Sequence, residues 1–195
     1  MDGNCLMEGN YIEMNKQQLN SHYCKQIVLA QLSGKIVLPY ALGLNNADYQ
    51  VLIETLNDEK IKQKEAQWHQ ESAAYLRQRA EFCGEMFAMK QAECDDLITL
   101  LNHHRDPQVP LSQAMAVIVA TACLTQFHLW ESLGLSDRAQ LATLLQYNFP
   151  SLHALNTHNM RWKRFFYHQL CAQEGSYLCK APSCEECKSY HECFA

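Results

Sequence analysis

The chain of 195 residues lacks the local motifs of common enzymes. It contains no Gly-x-Gly-x-x-Gly turn for a dinucleotide, no Walker loop for a phosphate, no His-Glu-x-x-His zinc motif and no nucleophile elbow. A strand pattern of alternating apolar and polar residues is also absent. An ordinary hydrolase or dehydrogenase therefore has no support, and helices are the regular structure to expect.

Signals for export and for membrane insertion are missing as well. The residues after Met1 show no basic segment followed by an apolar stretch, so we expect no signal peptide. The longest apolar run, residues 114–124, is too short to span a bilayer. A net charge of −5 gives no indication of nucleic-acid binding. We therefore expect a cytoplasmic protein with neither a membrane nor a nucleic acid as partner.

Helical periodicity runs through most of the chain and predicts an all-α fold. An apolar stripe over residues 76–101 advances by four and three residues in turn, which predicts one long helix. Residues 114–124 are apolar all round, which predicts a helix buried in the middle of the fold. We expect one compact helical domain over residues 13–175, a disordered N-terminus over residues 1–12 and a cysteine-rich, metal-binding loop over residues 176–195.

Cysteine, in contrast, is abundant, with ten in the chain. Four of them, Cys179, Cys184, Cys187 and Cys193, follow one another at a spacing of C-x4-C-x2-C-x5-C. A segment this short has no core of its own, so we expect these thiols to be ligands rather than packing residues. Thiolates are the ligands of zinc, copper(I) and iron–sulfur clusters.

The spacing bears on which centre these four cysteines would hold. Structural zinc sites usually pair two short hooks from separated segments, whereas this run contains a single C-x2-C hook. A single compact run is closer to the loops that wrap iron–sulfur clusters, which makes a cluster the first interpretation and structural zinc the second. Disulfides come third, because a reducing compartment favours clustered cysteines as metal ligands.

A predicted helix over residues 160–172 leads into this run. Trp162, Phe165, Phe166 and Leu170 form its packing face. A second face carries residues at positions i, i+3, i+7 and i+10: Arg161, Arg164, His168 and Cys171. Guanidinium groups on that face could attract an oxyanion or neutralise an anionic cluster, and a solvated basic face is the equal alternative.

Further cysteines and histidines lie outside this region. Cys24, Cys83, Cys94 and Cys123 fall on or beside apolar stripes, which predicts buried core thiols. His103 and His104 precede Pro107 at the end of a predicted helix. They are candidate ligands for a metal or an oxyanion, although a polar helix C-terminus is the favoured interpretation.

The C-terminal half resembles the NifQ proteins of nitrogen fixation. The similarity is strong from about Leu111 onward and weaker before it, where Leu42-Gly43-Leu44 fits. It is carried by the four-cysteine run, with Ala181-Pro182-Ser183 inside it and Phe194 after it, and by five further segments: residues 128–130, 133–135, 149–152, 159–167 and 169–171.

This resemblance implies a molybdenum-handling protein that takes part in assembly of the iron–molybdenum cofactor of nitrogenase. It implies an iron–sulfur cluster, bound by Cys179, Cys184, Cys187 and Cys193, that acquires molybdenum from a source such as molybdate. Delivery would be to the NifE–NifN scaffold together with NifH. The protein would be a metal carrier, a metallochaperone, and not an enzyme. Cys171 is open as a fifth ligand, a transient molybdenum donor or a supporting core thiol, and we favour the last.

Two alternatives stay open from the residues. The first is a helical protein-binding module that is stabilised by structural zinc. The second is a redox enzyme with an electron-transfer cluster, which would need a second cofactor or a substrate pocket for which the sequence holds no motif.

Overall fold

The structure is a computed structural model that describes residues 16–173. The predicted disordered N-terminus over residues 1–12 and the predicted cysteine-rich loop over residues 176–195 lie outside the described residues. Within residues 16–173 all regular structure is helical, so the predicted all-α fold class is confirmed for this part. None of the helices in this range is long and apolar enough to cross a membrane.

The described residues form ten α-helices and one short 3-10 turn. In chain order they are α1 (Lys16–Leu32), α2 (Asn46–Leu56), α3 (Glu59–Trp68), the 3-10 turn (Glu71–Ala73), α4 (Ala74–Ala88), α5 (Gln91–His103), α6 (Ser112–Cys123), α7 (Leu129–Ser132), α8 (Arg138–Asn148), α9 (Pro150–Leu155) and α10 (Trp162–Gln173).

Helix α6 lies at the centre of the fold. Residues on every side of it are buried, among them Met115, Ile118, Val119 and Cys123. It packs against α5, α7 and α1. An α-helix without a polar face can exclude water from its surface only when neighbours surround it. The predicted buried central helix is therefore confirmed.

The prediction of one long helix over residues 76–101 is wrong, because the chain forms two helices there. Helix α4 ends at Ala88 and α5 begins at Gln91. The amide of Lys90 donates to the carbonyl of Phe87 at 2.9 Å, which closes a turn between them. Phe87 and Cys94 still lie against the core on either side of this turn. The apolar period therefore continues across the break and does not reveal it.

The first helix is attached to α8 by a buried pair of amide side chains. Asn20 donates to Oδ1 of Asn148 at 2.6 Å, and Asn148 donates back to Oδ1 of Asn20 at 2.8 Å. The Asn20 amide also donates to the carbonyl of Pro110 at 2.8 Å. Both side chains are fully buried. Because a buried amide needs partners, this pair fixes the placement of α1 on the rest of the domain.

Candidate functional site

The four predicted cluster ligands, Cys179, Cys184, Cys187 and Cys193, lie outside the described residues. The structure does describe α10, the helix that leads toward them and ends at Gln173. It also describes all the other predicted site residues. The described residues therefore show how α10 is held against the core and which groups it presents to solvent.

The packing face of α10 is as predicted. Trp162, Phe165, Phe166 and Leu170 are all buried. The ring of Trp162 stacks on His153 of α9 with centroids 5.3 Å apart, and it meets Phe165 edge-on at 5.8 Å. Such aromatic contacts add to the gain from burying apolar area. The helix is thus seated on the core through most of its length.

Lys163 ties α10 to the loop after α6. Its ammonium group donates to the carbonyl and the hydroxyl of Thr125 at 2.8 and 3.0 Å, and to the carbonyl of Phe127 at 2.6 Å. Burial lowers the pKa of Lys163 to about 8, from an ordinary 10.5. A lysine held in this way satisfies backbone carbonyls that follow a helix C-terminus. Its role here is structural.

A second polar contact joins α10 to α5. The hydroxyl of Tyr167 donates to the carboxylate of Glu93 in the first turn of α5. Tyr167 is buried, whereas Glu93 is only half-buried. Together with Lys163, this contact fixes α10 against both α5 and the end of α6.

The predicted basic face is present on α10 and at its start. Arg161 directly precedes the helix, and its carbonyl accepts the amide of Phe165 at 2.9 Å. Arg161 and His168 are exposed, whereas Arg164 and Cys171 are half-buried. Arg138 of α8 reaches the same end, where it donates to the carbonyl of Asn159 at 2.8 Å. Arg161 and Arg164 thus belong to the N-terminal end of α10, where the helix dipole is positive, and Arg138 binds the loop just before it.

His103 and His104 lie at the end of α5, as predicted. Their rings meet edge-on with centroids 5.0 Å apart. Nδ1 of His104 shares a hydrogen bond of 2.8 Å with the hydroxyl of Ser151 in α9. Partial burial, and then the neighbouring His103, lower the pKa of His104. Among residues 16–173 no three His, Cys, Asp or Glu side chains are grouped closely enough to hold a metal ion. The structure therefore does not bring His103 and His104 together with His168 and Cys171 as one ligand set.

Four thiols of the described helices belong to the core, as predicted. Cys24 and Cys123 are fully buried, and Cys83 and Cys94 are nearly so. Burial raises the pKa of Cys24 and that of Cys123 to about 12. It also raises the pKa values of Cys83 and Cys94. Because the thiolate is the form that binds metals, these four residues are poor ligands at neutral pH.

The sequence interpretation missed Lys163 and Arg138, the two cations that hold the start of α10. A signal for Lys163 exists, because Tyr167 and Leu170 follow it at i+4 and i+7 and are both buried. A lysine on that face has to reach a carbonyl or a carboxylate. No local pattern marks Arg138, whose partners lie 21 and 22 residues further along the chain.

These features define a small helical protein in which the last helix of the described residues, held by buried contacts, leads to a sequence segment rich in thiols. The model of the NifQ family matches residues 23–195. Protein NifQ of Azotobacter vinelandii is 42% identical over 179 residues, which cover 90% of this chain and 88% of that protein. Protein NifQ of Klebsiella pneumoniae is 34% identical over 173 residues, which cover 88% of this chain and 96% of that protein. No solved structure matches the chain.

The chain belongs to the NifQ family, and the resemblance noted from its sequence is confirmed. A third relative, a NifQ homolog of Sinorhizobium fredii, is 52% identical over 83 residues, which cover 43% of this chain and 36% of that protein. Membership in this family implies a role in nitrogen fixation and in biosynthesis of the iron–molybdenum cofactor.

Proposed function

We propose that this protein is a molybdenum carrier in the assembly of the iron–molybdenum cofactor. It binds an iron–sulfur cluster through Cys179, Cys184, Cys187 and Cys193, receives molybdenum there and passes it on. It acts as a metallochaperone without catalytic turnover of its own. The observation that carries the proposal is that four thiols, Cys24, Cys83, Cys94 and Cys123, are buried in the core, whereas four others form a compact run in the sequence after α10.

The donor set fits a metal–sulfur centre by chemistry. A cluster or a molybdenum ion needs deprotonated sulfur ligands, and the pKa values of the core thiols, raised by burial, keep those protonated. The four C-terminal cysteines are close to one another in sequence, as ligands of one centre need to be. When bound, the cluster supplies sulfide and iron to which molybdenum can attach. The chain supplies the thiolates.

The basic face of α10 would serve the approach of an oxyanion. Molybdate carries two negative charges, and Arg161 and His168 present donors to solvent on the helix that precedes the thiols. A cation beside the positive end of a helix dipole destabilises the helix by about 0.3–1 kcal/mol. An anion bound at the same place offsets this cost. The dipole supports a role for Arg161 and Arg164 in oxyanion attraction. His168 lies further along the helix and would add a donor to it, and Cys171 would have a supporting role.

The recipients in this proposal are the NifE–NifN scaffold and NifH. A carrier must release its metal, and fully buried thiols such as Cys24 and Cys123 cannot exchange it with a recipient. The rigid core would keep the shape that the recipient recognises.

Anaerobic purification followed by analysis of iron, sulfide, molybdenum and zinc tests the proposal. We expect a coloured protein with several irons per chain and with molybdenum after exposure to molybdate. In a Cys184→Ala variant the iron content should fall to a small fraction, whereas the matched core variant Cys83→Ala should retain it. A colourless protein with one zinc and no iron would overturn the proposal in favour of the zinc-stabilised binding module.

A further inference from the structure

A cleft of about 470 Å³ lies between α1 and α3, which pack against each other. Each of the two helices turns one stripe of side chains, spaced i, i+3, i+4 and i+7, toward this cleft. The stripe of α1 begins at Gln26 and ends at Ser33, which directly follows the helix. The stripe of α3 contains Lys60, Gln63, Lys64 and Gln67. Both walls of the cleft are thus built on packed helices.

Within residues 16–173, the charged side chains that line the cleft are all lysines. They are Lys35, which follows α1, and Lys60 and Lys64 of α3. Lys64 is half-buried, whereas the other two are exposed. Lys60 and Lys64 lie one turn apart on α3, where like charges repel each other. The cleft therefore gathers three positive charges in a chain whose net charge is −5.

The carboxylates on and just before α3 do not neutralise these lysines, because each has another partner. Asp58 pairs with Lys25 at 3.3 Å, and Glu59 pairs with Lys62 at 2.8 Å. Glu65 accepts a hydrogen bond of 3.0 Å from a tyrosine hydroxyl. On the other wall, α1 contains no acidic residue. In the part of the chain that the structure describes, the three lysines of the cleft form no ion pair.

The backbone carbonyls beside the cleft are already hydrogen-bonded. Those of Leu29 and Ala30, near the end of α1, accept backbone amides at 3.0 and 2.9 Å. The carbonyl of Gly134, on the third side of the cleft, accepts the side-chain amide of Gln26 at 2.7 Å. Because these acceptors have donors of their own, the ammonium groups are left to bind a negatively charged ligand.

The size of the cleft indicates what kind of anion it would hold. Its volume lies within the range of small-molecule sites, about 300–1,000 Å³. A tetrahedral oxyanion would fill only a small part of it. Leu29 and Ala30 supply an apolar wall against which a carbon frame can pack. The amides of Gln63 and Gln67 add hydrogen-bonding groups beside the lysines.

We infer that the cleft between α1 and α3 binds a small organic anion that carries two or more carboxylate or phosphate groups. An ammonium group acts as a point charge with three donors, so lysines suit either type of group. Spaced negative charges on one ligand can meet several of the lysines at once. The inference goes beyond the proposed metal carriage and does not depend on it, because it uses no residue of α10 or of the cysteine run.

Two organic anions are suitable probes, one for each type of charged group. Tricarballylate carries three carboxylates, and fructose bisphosphate carries two phosphates. Isothermal titration calorimetry with the full chain measures the Kd of each, and inorganic phosphate is the small comparator. We expect at least one organic anion to bind about tenfold more tightly than inorganic phosphate, and more weakly at high salt. The tighter of the two identifies the charged group that the cleft prefers.

Single variants on opposite faces of α3 locate the binding. Lys64→Ala should raise the Kd of the bound anion by about fivefold, because one partly buried charge is lost from the cleft. Lys62→Ala is the matched control, since it removes the same charge from the same helix outside the cleft, and it should change the Kd by no more than about twofold.

A double variant extends this test. Lys60→Ala with Lys64→Ala should raise the Kd by about tenfold or more, because two of the three lysines are removed. The same variant should still take up molybdenum at the wild-type rate, which separates this cleft from the basic face of α10. Circular dichroism checks that all variants stay folded.

Three results would overturn the inference. One is the absence of measurable binding of both organic anions to the full chain. Another is inorganic phosphate binding as tightly as they do, which would mean that the cleft does not select an organic frame. The third is an equal rise of the Kd in Lys62→Ala and Lys64→Ala, which would indicate attraction by overall charge rather than a site.

Discussion

Asn20 and Asn148 lie 128 residues apart in sequence and exchange reciprocal amide hydrogen bonds of 2.6 and 2.8 Å in the core. Replacing either with leucine leaves the other amide with an unsatisfied polar atom away from water. We expect Asn148→Leu to lower the free energy of unfolding by about 2–3 kcal/mol. Replacing both should cost less than the sum of the single changes, by about 1–2 kcal/mol. Urea denaturation measures each value.

An exposed asparagine provides the control for this cycle. Asn102→Leu on α5 should change the free energy of unfolding by no more than about 0.5 kcal/mol. If the two buried substitutions were simply additive, the amides would not act as a pair.

Gly43 is required by its surroundings. Its φ is +87°, and an added Cβ would lie 1.9 Å from Oγ1 of Thr121. We expect Gly43→Ala to destabilise the fold by about 2–4 kcal/mol, from left-handed backbone strain together with overpacking. Thermal unfolding followed by circular dichroism measures this loss.

The opposite sign is expected at Gly84. It lies within α4, and an added Cβ there would meet no atom within 4 Å. Gly84→Ala should stabilise the protein by about 0.5–1 kcal/mol, because alanine loses less backbone entropy in a helix. Equal effects at Gly43 and Gly84 would contradict the close approach of Gly43 to Thr121.

Lys163 should make the free energy of unfolding depend on pH in the alkaline range. Its pKa is about 8 in the fold and 10.5 when unperturbed, so the unfolded chain binds more protons between these two values. The contribution of Lys163 to the free energy of unfolding therefore rises as pH increases from about 8 to about 10.5. Among the neighbouring groups, Cys123 and Glu131 raise the pKa of Lys163, whereas Lys90 lowers it.

Urea denaturation of the wild type and of Lys163→Met between pH 7 and 10.5 isolates this effect. The difference in unfolding free energy between the two should grow with pH, by about 1–3 kcal/mol over the window. Lys60→Met, which removes an exposed charge from α3, should follow the wild-type profile. A constant difference between wild type and Lys163→Met would mean that Lys163 is not desolvated.

Arg161 and Arg164 are expected to act on molybdenum loading. In the proposed function, Arg161→Ala with Arg164→Ala lowers the initial rate of molybdenum uptake by about tenfold, the lower end of electrostatic steering. Iron content should stay nearly intact.

A charge-matched control separates steering from net charge. Lys60→Ala with Lys64→Ala removes two positive charges from α3, far in sequence from α10, and should leave the uptake rate unchanged. Equal slowing in both double variants would indicate a bulk electrostatic effect, and no slowing in either would favour a solvated basic face.

Periodicity predicted most of the described fold, because burial of apolar side chains decides helix packing. It predicted α6 as the central helix and the inner face of α10 residue by residue. It failed at Met89 and Lys90, where a turn between α4 and α5 leaves the apolar phase unchanged. It could not reveal the reciprocal pair of Asn20 and Asn148, since the identity of a distant hydrogen-bond partner has no local signal.

The candidate site rests on a different kind of signal, and at the four cysteines it stays a prediction. The four-cysteine run and the basic face stand out because thiols and guanidinium groups have few reasons to cluster. The anchors of α10 do not stand out, because Lys163 and Arg138 resemble ordinary surface cations in the sequence. Their contacts depend on where the end of α6 and the loop before α10 are placed by the whole fold.

In the proposed function, burial of Cys24, Cys83, Cys94 and Cys123 also bears on the fidelity of metal delivery. A protein with ten cysteines that meets a thiophilic metal could capture it at many unproductive positions. Packing four of these thiols beyond the reach of solvent removes them from that competition without giving up their volume in the core. In this view, the helical domain limits the number of thiols that are accessible to an incoming metal.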